Sequence, residues 1–100
     1  MEHLKSMVLD IHDELCGAIH YAKLGAKMKL EGLPMADSYV EMAEQELGHA
    51  RALCDMVKEY IAACDDPEDH KYMATVWQWE HELMVEDETK AIHTIEMAKE

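Results

Sequence analysis

The sequence predicts an all-α protein: an antiparallel helical hairpin followed by a third long helix, in one domain over residues 1–100. Three observations predict it. Four Gly and two Pro in 100 residues are too few for the many turns of an all-β chain. Apolar residues recur at spacings of three and four along three long stretches. The breaks between those stretches are short, which makes neighbouring helices antiparallel.

The first helix is expected from about Glu2 to Leu30. Its apolar positions are Leu4, Met7, Val8, Ile11, Leu15, Ala18, Tyr21, Ala22 and Met28, and Gly32 is placed to end it. The second helix is expected to begin near Pro34, a good first-turn residue. Ser38 with Glu41 offers a capping box about a turn later. Its stripe reads Tyr39, Met42, Ala43, Ala50, Leu53, Met56, Val57 and Tyr60, and it ends around Cys64. The third helix has the sharpest start. Asp66 suits the N-cap and Pro67 suits N1, while Glu68 and Asp69 favour the positive helix terminus. Its stripe is Met73, Val76, Trp77, Leu83, Met84, Ala91, Ile95 and Ala98. Trp77 and Trp79 cannot both face one core.

Nine basic against 22 acidic residues give a net charge of −13. A nucleic-acid surface needs a basic footprint, so that class is excluded. The charge suits a protein that attracts cations, and it also keeps a small protein soluble. Cys16, Cys54 and Cys64 form no C-x-x-C pair and are odd in number. They read as reduced thiols in a cytoplasm-like compartment. No leader opens the chain and no apolar run approaches 18 residues, so neither a signal peptide nor a membrane span is expected. A chain this short builds only a small core, which favours an oligomer.

Glu46-Leu47-Gly48-His49 is a Glu-x-x-His motif in register with the apolar stripe of the second helix. At i and i+3 the two side chains share a face and can bind one ion. An ionised carboxylate buried without a partner costs several kcal/mol, roughly, and a shared cation removes that cost. On a solvated face the same residues would be only a hydrogen-bonded pair. The first helix carries Glu14 in the register of Ile11, Leu15, Ala18 and Tyr21, while Asp10 and Asp13 lie off that face. At 1.5 Å per residue, Glu14 lies roughly 24 Å from the turn, and Glu46 and His49 about 18–22 Å from it. The three are therefore expected at similar heights.

A carboxylate-bridged di-metal site in a four-helix bundle uses two lone Glu and two Glu-x-x-His motifs. This chain has one of each, so a second copy would supply Glu14, Glu46 and His49 again across a twofold axis. Glu80 also falls in its helix's stripe, with Asp87 continuing it. Glu80 reads either as a further carboxylate ligand or as a stripe-edge residue beside the charged run 80–88, and the second reading is favoured. The nine Met read as core filler rather than ligands. His3, His12, His20 and His70 read as surface residues, any of which could serve as an entrance for metal ions.

The combination of Glu14, Tyr21 seven residues later, Gly32 in the turn and Glu41-Met42-Ala43-Glu44-Gln45-Glu46-Leu47-Gly48-His49-Ala50 resembles the ferritin-like superfamily. The resemblance is closest to the first helical hairpin of rubrerythrins and covers roughly residues 11–60. It implies that Glu14, Glu46 and His49 bind iron and that Tyr21 lies beside the metals. A rubrerythrin has a second hairpin with its own Glu-x-x-His and then a C-x-x-C iron site, and this chain has neither. It is more similar to a half-ferritin such as the encapsulated ferritins, whose ferroxidase centre forms between two subunits. That implies a ferritin-like four-helix bundle completed by dimerisation, two irons per dimer site, and a homodimer or higher homo-oligomer. An encapsulating shell protein would be a further partner, although no cargo tail is evident after Ala98.

Iron suits a set of carboxylates with two imidazoles, and zinc or manganese would fit the same ligands. In the expected arrangement Glu46 from each chain bridges two ions, while Glu14 and His49 cap them. Three functions follow: a di-iron ferroxidase or iron-storage protein, a rubrerythrin-like peroxide reductase with an external electron donor, and a non-enzymatic helical oligomerisation module.

Overall fold

The computed structural model describes residues 2–100. Helix α1 runs Glu2–Leu30, α2 Ala36–Ala62 and α3 Pro67–Lys99, with no strand among the described residues. The helices lie side by side in a rod of 56 × 18 × 15 Å. None of them is long and apolar enough to cross a membrane.

Gly32 ends α1 for a physical reason. Its φ is 71°, a left-handed conformation that costs glycine nothing. Its N–H donates to Lys29 O at 3.1 Å, and Leu33 N–H donates to Met28 O at 2.9 Å. These paired bonds satisfy carbonyls that the helix end would leave open. The start of α2 differs from the expectation. The helix opens at Ala36 with Met35 at the N-cap, and no side chain caps it. Ser38 lies inside the helix, so the Ser38–Glu41 capping box does not form. Instead Ala36 N–H donates to Leu33 O at 3.3 Å, which carries the chain straight from the turn into α2.

The second helix ends at Ala62 rather than Cys64. His70 Nδ1 lies 3.0 Å from Ile61 O and ties that end to the next helix. The third helix starts as its sequence predicts. Asp66 Oδ1 accepts from the N–H groups of Glu68 at 2.9 Å and Asp69 at 3.0 Å, and Pro67 follows at N1.

The core is one row on each helix. On α1 it is Leu4, Val8, Ile11, Leu15, Ala18, Ala22 and Gly25. On α2 it is Ala36, Val40, Ala43, Leu47, Ala50, Val57 and Ile61, with half-buried Cys54 filling the gap. Members alternate four and three residues apart, the spacing at which long helices interdigitate. The third helix adds Met73, Trp77, Met84, Ala91, Ile95 and Ala98. Trp77 is buried and Trp79 is 71% exposed, so one indole alone serves the core.

A second row runs one position before the first. On α1 it is Met7, Glu14, Tyr21 and Met28; on α2 it is Tyr39, Glu46, Leu53 and Tyr60. Within each helix these residues are seven apart, and all eight are half-buried. Met35, Met42 and Met56 flank them, exposed. The third helix lies on the other side of the hairpin, held by Arg51–Glu88 at 3.3 Å and Lys99–Glu44 at 3.1 Å. The stripe that contains Glu46 and His49 therefore does not point into the chain's own core, as its pattern suggested. It forms an outer face that α3 leaves uncovered.

Candidate metal centre

The antiparallel pairing of α1 and α2 brings Glu14 level with Glu46 and His49. One ligand atom from each lies within 4.8 Å of the other two. Donors around a single ion at about 2.0–2.2 Å are at most about 4.4 Å apart. Small side-chain rotations would bring the three there, so they form a group that could hold a metal ion.

Burial differs across the group. Glu14 is 27% exposed at its side chain and His49 is 64% exposed. The Oε2 atom of Glu14 is nevertheless fully enclosed and receives no hydrogen bond among the described residues. His49 Nδ1 lies 3.5 Å from it. An enclosed carboxylate oxygen without a donor is costly to maintain, and a cation would relieve it. Glu46 shows the same strain in its protonation. A hydrogen bond with Glu14, then burial, then the Glu14 charge hold its carboxyl above the usual carboxylate range, while His49 pulls it down. The strain falls where a cation would sit, between the two carboxyls.

Glu80 stands apart from this group. Its carboxylate lies 3.7 Å from His12 Nε2, and Asp87 lies 4.0 Å from His12 Nδ1. Both belong to α3, on the far side of α1. His12 is not the surface residue that its sequence suggested; it is half-buried between two α3 carboxylates. Tyr21 sits in the row of Glu14, one heptad along, with its ring 6.1 Å from that of Tyr39.

No protein-family model, curated protein or solved structure matches this chain. The arrangement of its own residues therefore carries the functional reading.

Two contributors were missed in the sequence. Tyr39 was placed on a stripe but not paired with Tyr21. Gly17 lies under the Glu46 side chain: a Cβ built there would meet Glu46 Oε2 at 3.1 Å. A glycine three residues after an in-register Glu, in the middle of a helix, is the signal that could have exposed it.

Proposed function

We propose that Glu14, Glu46 and His49 bind divalent iron, and that two chains pair through this face to make a two-ion site that oxidises Fe(II). The observation that carries the reading is the convergence within 4.8 Å of His49 and the two carboxylates that interrupt an otherwise apolar row. Two oxygens and one nitrogen suit iron and leave coordination positions open.

Pairing follows from the rest of the row. Met7, Tyr21, Met28, Tyr39, Leu53 and Tyr60 present apolar surface that a second hairpin would cover. Covering it would also desolvate four carboxylates, which is strongly unfavourable unless cations neutralise them. Assembly and iron binding are therefore coupled. In the paired form Glu46 of each chain would lie between the two ions, and Glu14 with His49 would hold each one. Tyr21 closes the site toward the turn.

Fe(II) is the substrate. Two ions each lose one electron; O₂ takes both electrons with two protons and leaves as hydrogen peroxide. The chain's contribution is to hold two ions at one carboxylate-bridged distance, so that both electrons reach one oxidant.

Stopped-flow oxidation of Fe(II) tests this, with wild type beside Glu46→Ala and His49→Ala. Glu46→Ala should fall to near the buffer rate, and His49→Ala should weaken the site while keeping the bridges. Wild-type oxidation by Glu46→Ala would overturn the proposal.

A further inference from the structure

Three glycines lie inside helices, where each costs stability relative to alanine because the backbone loses more freedom on folding. Their surroundings differ. A Cβ at Gly25 would meet Val40 Cγ2 at 2.8 Å and Ala36 O at 3.2 Å, so Gly25 serves helix packing. At Gly48 a Cβ would meet nothing within 4 Å. At Gly17 the three nearest atoms it would meet all belong to Glu46: Oε2 at 3.1 Å, Cδ at 3.4 Å and Cγ at 3.6 Å. The Glu46 side chain lies flat across bare α1 backbone. Glu14 and Gly17, three residues apart, share one face of α1. One offers a carboxylate and the other a notch beside it.

We infer that Gly17 is a positioning residue for the metal site, whose missing side chain lets the Glu46 carboxylate lie against α1 next to Glu14. The inference rests on the metal-binding reading above. A methyl at position 17 would push the end of Glu46 back by a few tenths of an ångström, roughly the tolerance of metal–ligand distances. A flexible carboxylate yields to such a push easily, so folding is little affected. The added methyl, however, occupies the space beside Glu14 in which that carboxylate lies, and so opposes the rotation that would bring the two carboxylates onto one ion. Stability and metal affinity must therefore move in opposite directions when Gly17 gains a side chain.

The test compares wild type, Gly17→Ala, Gly48→Ala and Glu46→Ala. Co(II) titration followed by visible absorption reads the site, and thermal unfolding of the metal-free protein reads the fold. Both glycine variants should melt about 4–8 °C higher. Only Gly17→Ala should lose Co(II) affinity, by about tenfold or more, with a shifted absorption band in the residual complex. Unchanged affinity in Gly17→Ala, where wild type binds Co(II) and Glu46→Ala does not, overturns the role of Gly17 and leaves the site standing. An equal loss in Gly48→Ala also overturns it. Absence of Co(II) binding by wild type overturns the site itself, and this inference with it.

Discussion

The rings of Tyr21 and Tyr39 face each other across the hairpin, with centroids 6.1 Å apart. Tyr21 follows Glu14 by seven residues and Tyr39 precedes Glu46 by seven. In antiparallel helices both offsets lead toward the turn. The tyrosines therefore form the next layer above the two carboxylates, about 10 Å along the rod. Met7 and Leu53 occupy the matching positions below. A charged layer between apolar layers fits a buried interface better than a wetted surface.

Met56 lies on this face and is 52% exposed. Met56→Glu should leave the metal-free chain folded with an unchanged melting temperature. It should abolish the dimer that Fe(II) is expected to promote in wild type. Light scattering with and without Fe(II) reads both; a variant that still dimerises places the pairing surface elsewhere.

The raised Glu46 carboxyl predicts a pH dependence with a definite sign. In the metal-free fold it keeps its proton above its ordinary value of 4.5. Its stabilising contribution is complete below that value and is lost as pH rises through the folded one. Glu46→Gln should remove this decline, so the urea midpoints of variant and wild type should separate as pH increases above about 4.5. Parallel curves would mean that the fold does not hold the Glu46 carboxyl above its ordinary value.

Glu80→Ala should oxidise Fe(II) at the wild-type rate, because its carboxylate is turned to His12 on the α3 side of the hairpin. Its pairing is partly exposed, and stability should fall by no more than about 1 kcal/mol. A large loss of oxidation in this variant alone would move the site onto α3.

Leu15 is 2% exposed in the centre of the core row. Leu15→Ala should cost about 2–5 kcal/mol, since the space it leaves is walled by stiff helices. Asp66→Ala removes only a cap and should cost about 1 kcal/mol. Urea unfolding of the metal-free chain orders the two, and the reverse order would mean that the α2–α3 turn, not the core row, limits stability.

Cysteine reactivity should separate by position. Cys16 is exposed, whereas burial and then the Glu88 charge push the Cys54 thiol up. Thiolate is the reactive form, so a maleimide should label Cys16 well before Cys54. Mass spectrometry of a labelling time course reads the order, and early modification at Cys54 would contradict its placement against α3.

Much of this molecule could be read in advance where a local signal fixes a local structure. Gly32 and Asp66-Pro67 ended α1 and began α3 as written, because a positive φ and a side-chain cap are decided by one or two residues. Ser38 and Glu41 misled because the turn around Gly32 and Leu33 had already started the helix. That Glu14, Glu46 and His49 meet was legible from stripe register and from height, since rise per residue is constant in a helix. Their burial was not. Two apolar rows lie side by side on α2, and nothing in the spacing says which of them α3 covers. Gly17 escaped notice because its role lies in a contact with Glu46, 29 positions away.

Residue size along the α1–α2 seam is graded. Small side chains crowd the turn end, where Ala18, Ala22 and Gly25 oppose Ala36, Val40 and Ala43, and bulkier Leu4, Val8, Ile11 and Leu15 occupy the far end. The hairpin is thus a pair of calipers pivoted near Gly25, with Glu14 about 16 Å along one arm from Gly25 and Glu46 about 9 Å along the other from Val40. Any group added at the pivot must displace Val40, and rigid helices carry that displacement outward. A bulkier residue at Gly25 would thus widen the gap that Glu14 and Glu46 span without touching either of them.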